Sequence, residues 1–543
     1  MNSSFASSYK RQTTTEITKE TLNESILNHK LSLRKEKLEN KIMSKRTMSL
    51  CQELNHQIYL SELNFPEEVA KDVKNYIRTK FDIKSIFNFL FSEDLLQIKR
   101  AIFLLRVYIV LQVTELPEEK RFLSRNDFAL VNKLCSFLTC PDLQLQYEAS
   151  WCLTNICVFP EKVEQRLFTD TNLQLISEFI FHSEKDLFVN ATYLLLNISA
   201  KKKQKEYFIN QNVIEHIITK AANENFTGSE LIPIVRSIGS VFKIVKTNNE
   251  YRKYLISSIP NLIILFSKIK KTDSKYQIEL YSNIINIIKL YIHPYSPQIF
   301  NSILIDPFPH ILLSDYLSQN DFQTRSHFLS LILNFLEGSD THVQILLDEG
   351  LIDILKQCLS EFKFSHRDLL RAVLLGISNI ACGTLGQVQL LHNSNIFEDV
   401  VAIGKIMYDV ITKYKNSTEE INILMECLYT IVGGIDGSSD TIVSEIFSYE
   451  NNIIVDMLFF GLKEFKDMKL IKGILISIKK LIIMEENIMS DVSIKKMIKQ
   501  KGIEDYLEKE LTGKRFNQEQ EVIAEIIIDA LKDENFGLGL YNQ

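Results

Sequence analysis

Residue 151 is the only tryptophan in the 543-residue sequence, and Asn155 follows it by one helical turn in LQYEASWCLTNICVFP (145–160). Residues four apart share a helix face, so ring and amide project together. An amide carries both donor and acceptor groups and can hold the backbone of an extended peptide without reading its side chains. An indole face beside it can cover the alkyl stem of a lysine or arginine and attract its charge. Tyr193 and Asn197 in TYLLLNIS repeat the spacing. Asn334 in SLILNFLEG and Asn379 in LLGISNIACG add two more amides in similar apolar surroundings. These six are the candidate peptide-binding residues. A ring and an amide also suit a packed core, where the amide would bond a neighbouring carbonyl. The recurrence of asparagine favours a groove.

No other chemistry competes. The sequence has no G-x4-G-K-[ST], no H-E-x-x-H and no G-x-S-x-G, so no phosphate loop, zinc protease helix or nucleophile elbow is expected. The ten histidines are dispersed. GGIDGSS (433–439) follows a helical run with no strand before it and reads as a loop. Cys135, Cys140, Cys152 and Cys157 form two C-x4-C pairs, but they sit inside apolar helical runs, whereas zinc ligands cluster on tight turns. They read as small buried hydrophobes in a reducing compartment. Neither an enzyme, a metal nor a cofactor is expected.

The elements that would position the amides follow from composition and period. Gly is 17 and Pro 10, far below average usage, which argues for helices and few tight turns. The net charge of −6 is modest for this length and points to neither nucleic acid nor membrane. The N-terminus is polar with no apolar core of a signal peptide, and AIFLLRVYIVLQV is too short to span a bilayer. A soluble, intracellular protein is expected. Asn155, Asn197, Ser240, Asn286, Asn334, Asn379 and Ile431 close successive apolar helices at intervals of 42, 43, 46, 48, 45 and 52 residues. That period means stacked helical units of the armadillo or HEAT kind. DEGLIDILKQCL (348–359) is the clearest second helix, and TNLQLISEFI, NQNVIEHIIT, NSNIFEDVVAI and NNIIVDMLFFGL are weaker copies. No such unit buries its apolar face alone. Stacking gives one continuous core and a groove lined by one helix per unit, with room for roughly ten units.

Residues 1–65 lack the repeat. KLSLRKEKLENKIMSKR (30–46) carries seven Lys or Arg against two Glu, which leaves the remainder of the chain at −11. A cationic arm on an anionic body suggests an intramolecular or partner contact. The division read from sequence is an arm over 1–65, a solenoid over 66–535 and a short tail over 536–543.

LQYEASWCLTNIC, with FLSRNDFALVNKLCSFLTCPDLQ before it, resembles the second armadillo repeat of the importin-α family. SNIACGTLGQVQLLHNSNIF (378–397) resembles a later repeat, and KGIEDYLEKELTGKRFNQEQEVIAEIIIDALKDE (501–534) the last. LRKEKLENKIMSKR (33–46) resembles the family's importin-β-binding arm, with Arg34, Lys35, Lys37, Lys41, Lys45 and Arg46 as its basic residues. The resemblance implies an all-α, right-handed armadillo solenoid of about ten repeats behind a mostly disordered basic arm. It implies a nuclear import adaptor that binds basic signal peptides of cargo in its groove and recruits importin-β, with a nuclear export receptor and Ran on the return leg. It implies shuttling between cytoplasm and nucleus, and an arm that folds back into the groove when free.

The departures are specific. The family carries Trp at most groove positions, where this chain has Tyr193, Arg236, Ser282, Ser330, Leu375 and Cys427. Ser240 and Ile431 replace two of the asparagines. SAKKKQKE puts Lys201, Lys202 and Lys203 where the family has an acidic turn that contacts a cargo lysine, and this cluster should repel a basic signal. The alternative expectation is therefore an armadillo scaffold that has lost basic-signal binding and holds a different protein partner.

Overall fold

The structure, a computed structural model, describes residues 83–115, 128–157, 169–199, 202–246, 249–293, 295–362, 366–414, 418–487 and 494–532. The arm residues Arg34, Lys35, Lys37, Lys41, Lys45 and Arg46 and the tail from 536 lie outside the described residues. Within the described residues there are 26 α-helices, three 3-10 helices and no strand.

Ten of these helices recur at the period of the sequence: α1 (Leu95–Glu115), α2 (Leu143–Ile156), α3 (Lys185–Ile198), α4 (Gly228–Phe242), α5 (Ser274–Ile292), α6 (Phe322–Phe335), α7 (Arg367–Ala381), α8 (Thr418–Gly437), α9 (Met468–Asn487) and α10 (Gln518–Lys532). Asn155, Asn197, Ser240, Asn286, Asn334, Asn379 and Ile431 each fall on one of them, from α2 to α8. The chain forms two compact units, residues 31–303 with 321–327, and 304–320 with the rest from 328. In the first unit α1 packs on α2, α2 on α3, α3 on α4 and α4 on α5. In the second, α7 packs on α8, α8 on α9 and α9 on α10.

A second row of helices backs the first. It includes Asp170–His182, Val213–Asn223 and Ile259–Ile269 in the first unit, and Leu351–Phe362, Ile396–Lys413 and Ile454–Glu464 in the second. These are the segments that read from sequence as the clearest second helix, 348–359, and its weaker copies, together with 259–269. Leu153, Leu194, Ile238 and Ile284 in the first unit, and Ile377, Leu428, Ile474 and Ile527 in the second, are fully buried. Within each unit these faces are covered by neighbouring helices of the stack, as a stacked repeat requires. Lysines tie the second row together: Lys220 Nζ donates to the Ser183 carbonyl at 2.7 Å, and Lys268 Nζ to the Glu224 carbonyl at 2.9 Å. Each target is the C-cap residue of the preceding helix in that row, where the helix leaves carbonyls without internal partners.

Local sequence explains where the helices begin. Thr227 and Glu230 exchange bonds across the first turn of α4, and Thr384 and Gln387 do so before Leu385–Asn393. The residue before the second-row helix is left-handed four times over, at Asn212 (φ 57°), Gly350 (φ 93°), Asn395 (φ 61°) and Gly502 (φ 72°). Only Gly and Asn enter that region readily, so this chain uses scarce turn residues where the repeat cannot do without them.

One reading from sequence is corrected. The GGIDGSS segment is not a loop at its start: Gly433, Gly434 and Gly437 complete α8. A Cβ at Gly434 would run into the Phe397 ring, and one at Gly433 would press on Cys382 and Ala381. The glycines let α8 approach its neighbours, and burial against them holds the helix despite the poor propensity of glycine. The cysteines behave as expected of hydrophobes. Cys135, Cys152 and Cys157 are buried and unbridged, and burial pushes the Cys135 thiol up to about 12.

The left-handed turns give a test. Nothing lies within 4 Å of a Cβ built on Gly350, so Gly350→Ala meets only the backbone penalty, and a loss of about 1–2 kcal/mol is expected in urea unfolding. Asn395→Gly should match or exceed the natural protein. Equal stability of Gly350→Ala would show that the turn is not constrained.

Candidate functional site

In the first unit, the stripe on α2 runs Gln144, Tyr147, Trp151, Asn155, and that on α3 runs Asn190, Tyr193, Asn197. Trp151 and Tyr193 stack, with ring centroids 5.9 Å apart and planes 29° from parallel. Tyr147 meets Trp151 edge-on at 6.5 Å. The structure therefore brings the two predicted rings together, and closely: stacked rings of neighbouring repeats leave no slot between them for a lysine stem. The next rung is ionic. Arg236 of α4 contacts Glu279 of α5 at 2.5 Å, where the family pattern has tryptophan.

The asparagines divide into two kinds. Asn197 Nδ2 donates to the Thr154 carbonyl at 2.8 Å. Thr154 lies in the last turn of α2, so the amide satisfies a carbonyl that the helix itself leaves open. Ser240 does similar work one repeat on, where its hydroxyl meets that of Ser199 at 2.8 Å. By contrast, Asn155 is 8% exposed and its Nδ2 has no hydrogen-bond partner among the described residues. Trp151 Nε1 beside it is also buried without a partner. On α7, Asn379 is 3% exposed with Nδ2 equally unpartnered. Buried polar groups are almost always bonded. These donors are therefore the places where an acceptor from outside the chain would gain most.

Asn334 of α6 is half-buried and Asn286 of α5 is exposed. Three residues after Asn334 stands Glu337. Among the described residues no group pairs with its carboxyl, which burial pushes up to about 7. Leu375 of α7 and Cys427 and Ile431 of α8 are buried in the core, so α8 adds no polar rung in the second unit. Lys203 is exposed and reaches Asp170 at 3.4 Å. The side chains of Lys201 and Lys202 lie outside the described ones.

Sequence reasoning missed Gln144 and Asn190. Both carry a buried side-chain amide nitrogen with no partner. The signal was present: Gln144 precedes Trp151 by seven residues and Asn190 precedes Tyr193 by three, which continues the same helix face toward the N-terminus. Among the described residues, no group of three His, Cys, Asp or Glu could hold a metal ion, and no helix is long and apolar enough to cross a membrane.

Comparison with known proteins agrees with this architecture. Residues 130–158, which hold Trp151 and Asn155, match the model of the armadillo/beta-catenin-like repeat. No curated protein matches the chain. Among solved structures it is similar to one from work on a phosphorylation switch that controls the interaction between cadherin and beta-catenin. That match has 13% identity, a TM-score of 0.61, and covers 83% of this chain and 81% of that one. It is also similar to an engineered protein, at 16% identity and a TM-score of 0.58, over 83% of this chain and 99% of that one. At these identities the likeness is one of fold: an all-α stack of armadillo-type repeats.

The two kinds of asparagine respond differently to substitution. Asn197→Ala strands the Thr154 carbonyl and should lower stability by about 1–3 kcal/mol. Asn155→Ala removes a donor that has nothing to lose, so the melting temperature of the free protein should hold or rise. The reverse order in thermal unfolding would mean that the roles are exchanged.

Proposed function

We propose that this protein is a non-enzymatic adaptor that holds extended segments of partner proteins along the inner helices of its repeats. The observation that carries this reading is the pair of buried, unpartnered amide donors, Asn155 Nδ2 on α2 and Asn379 Nδ2 on α7, at matching positions of the repeat. A core gains nothing from a stranded donor, which costs about 1–3 kcal/mol. An extended peptide offers a backbone carbonyl at each residue and turns its side chains alternately, so one amide per repeat can grip it without regard to its sequence. The solved neighbour that comes from work on the interaction between cadherin and beta-catenin supports the general idea that such a stack takes protein partners.

In its finer form the reading is a nuclear import adaptor. Basic signal peptides of cargo would lie against Asn334 and Asn379, with Glu337 supplying negative charge. Importin-β would take the arm through Arg34, Lys35, Lys37, Lys41, Lys45 and Arg46, and the protein would shuttle between cytoplasm and nucleus, returning with an export receptor and Ran. The surviving asparagines and the basic arm support it. A second reading, an armadillo scaffold for a non-basic partner, is favoured by one feature of the first unit: the Trp151–Tyr193 stack fills the space that a lysine stem would enter.

Fluorescence anisotropy with a labelled basic signal peptide and the full chain tests the proposal. Asn155→Ala with Asn379→Ala should weaken binding by about 0.5–1.5 kcal/mol per amide, with the melting temperature unchanged. Glu337→Gln should weaken a lysine-rich peptide and spare a neutral one. Binding of a neutral but not a basic peptide would favour the scaffold; a double alanine variant that binds both as well as the natural protein would end the groove reading. In a pull-down, Arg34→Glu, Lys35→Glu and Lys37→Glu together should abolish capture of importin-β, and capture by the natural chain should decline as salt rises.

A further inference from the structure

We propose that the edge formed by α2 and α3 in the first unit is a recognition site for a proline-rich segment of a partner protein, held as a polyproline II helix across Tyr147, Trp151 and Tyr193. The proposal rests on the second reading above, a groove for a non-basic partner, and names the chemistry of that partner.

The hydrogen-bonding character of this edge is one-sided. Gln144 Nε2, Trp151 Nε1 and Asn155 Nδ2 on α2, and Asn190 Nδ2 on α3, are buried nitrogens with no hydrogen-bond partner among the described residues. All four can only donate. Asn155 is 8% exposed and Asn190 7%, so bulk water does not serve them. The acceptors nearby are taken. Asn197 holds the Thr154 carbonyl, the Thr154 hydroxyl holds the Ser150 carbonyl, and the Glu148 carboxylate is ion-paired with Arg106 at 2.5 Å. An ordinary peptide brings an N–H with every carbonyl, and an N–H buried here would find no acceptor. Proline brings the carbonyl alone. A proline-rich segment therefore offers what the stranded donors lack and adds few donors of its own.

The rings complete the match. Trp151 stacks on Tyr193, and Tyr147 meets Trp151 edge-on. All three are half-buried, so together they form a shelf with part of its surface open. The stack closes the gap between the repeats to a lysine stem, but a proline ring needs no gap, because it lies flat on an aromatic face. Aromatic-lined grooves are a general means of holding polyproline II segments, whose preformed conformation loses little entropy on binding. The edge is also short of charge. The helix α2 has no Lys, Arg or His, and its one acidic residue is Glu148. The charges of α3 are confined to its first turn, at Lys185 and Asp186. Nothing here selects a charged partner.

The period fits as well. A polyproline II helix has three residues per turn and rises about 3.1 Å per residue, so prolines three apart recur on one side at intervals of about 9 Å. Packed helices stand about 8–10 Å apart. Laid across α2 and α3, such a segment presents one proline to each repeat. The site ends with α3. In the ladder of residues that closes successive inner helices, from Asn155 to Ile431, Asn197 is occupied by Thr154, and the following rung is the ionic Arg236–Glu279 pair. The Asn197 bond also fixes α2 against α3, so the shelf is set before a partner arrives.

Trp151 is the one tryptophan of the chain, so its emission reports on this site. The test titrates the full chain with three labelled peptides of equal length, built on Ala-Pro-Pro, Ala-Ser-Ser and Ala-Lys-Lys repeats. It reads the anisotropy of the label together with Trp151 emission, and thermal melts check that each variant folds. The proline peptide should bind at least about tenfold tighter than the serine peptide and shift the Trp151 emission. Its affinity should change less than about twofold between about 50 and 300 mM salt, since no charge is paired. Asn155→Ala should weaken it about threefold to tenfold, and Trp151→Phe, which keeps a ring and removes the indole N–H, should do likewise. The proposal is overturned by no binding of the proline peptide, by equal affinity for the proline and serine peptides, by binding that leaves Trp151 emission unmoved, or by undiminished affinity in both variants. If the serine and lysine peptides bind through Asn155 and Asn379 and proline confers no advantage, only the proline preference fails. If Trp151→Phe weakens the proline peptide while the double Asn155→Ala, Asn379→Ala variant binds every peptide as well as the natural protein, only the amide grip fails.

Discussion

Within each unit, inner helices such as α2, α3, α4, α8 and α9 are packed between the inner helices before and after them, and much of the structure follows from that constraint. Leu153, Leu194 and Ile238 have no exposure, and the next inner helix packs on each of theirs. A helix sandwiched in this way keeps only a narrow edge for other work. Polar side chains on that edge have three fates: they bond across to the neighbouring repeat, they pair with a charge there, or they remain open. Asn197, Arg236 and Asn155 illustrate the three in turn.

The cross-repeat bonds also explain how a loosely conserved period can hold a regular stack. Helix ends expose carbonyls that cannot be satisfied inside the helix. Here they are met by side chains one repeat away, with Asn197 on Thr154, Lys220 on Ser183 and Lys268 on Glu224. Such bonds fix the register between repeats, which apolar packing, being non-directional, specifies less sharply. They also withdraw residues from binding: an amide that caps a neighbouring helix is no longer available to a peptide.

Charge is distributed unevenly along the same series of positions. One turn after the ladder residue the chain carries Lys243 and Lys289, then Glu337. Burial acts on both signs, holding the Lys289 amine down at about 8 and raising the Glu337 carboxyl to about 7. Glu337 thus gains from a partner of opposite charge, and on the proposed reading such a charge adds electrostatic choice to the sequence-independent grip of the amides.

The repeat itself was written plainly in the sequence. A period near 45 residues, few Gly and Pro, and apolar runs too long for strands determine a stack of helices, because an amphipathic unit of that length can bury its face only against another copy. The left-handed backbone at Gly350 and Asn395 was not read from the sequence, although residue types that tolerate it stand there. What the sequence could not decide was the work of each polar residue on the edge. Asn155 and Asn197 have the same spacing from an aromatic ring and read alike, yet one donor is open and the other is spent on Thr154. Whether Trp151 frames a slot or fills it depended on the tilt of Tyr193 from another repeat. Gly433 and Gly434 read as a loop, but Gly434 lies against the Phe397 ring and Gly433 against Cys382 and Ala381, all more than 30 residues away in sequence, and those contacts require the missing side chains. Helical period is a property of neighbours along the chain, whereas the availability of a hydrogen bond is set by distances of a few ångströms between segments some 40 residues apart, and only the packing of one repeat on the next fixes those.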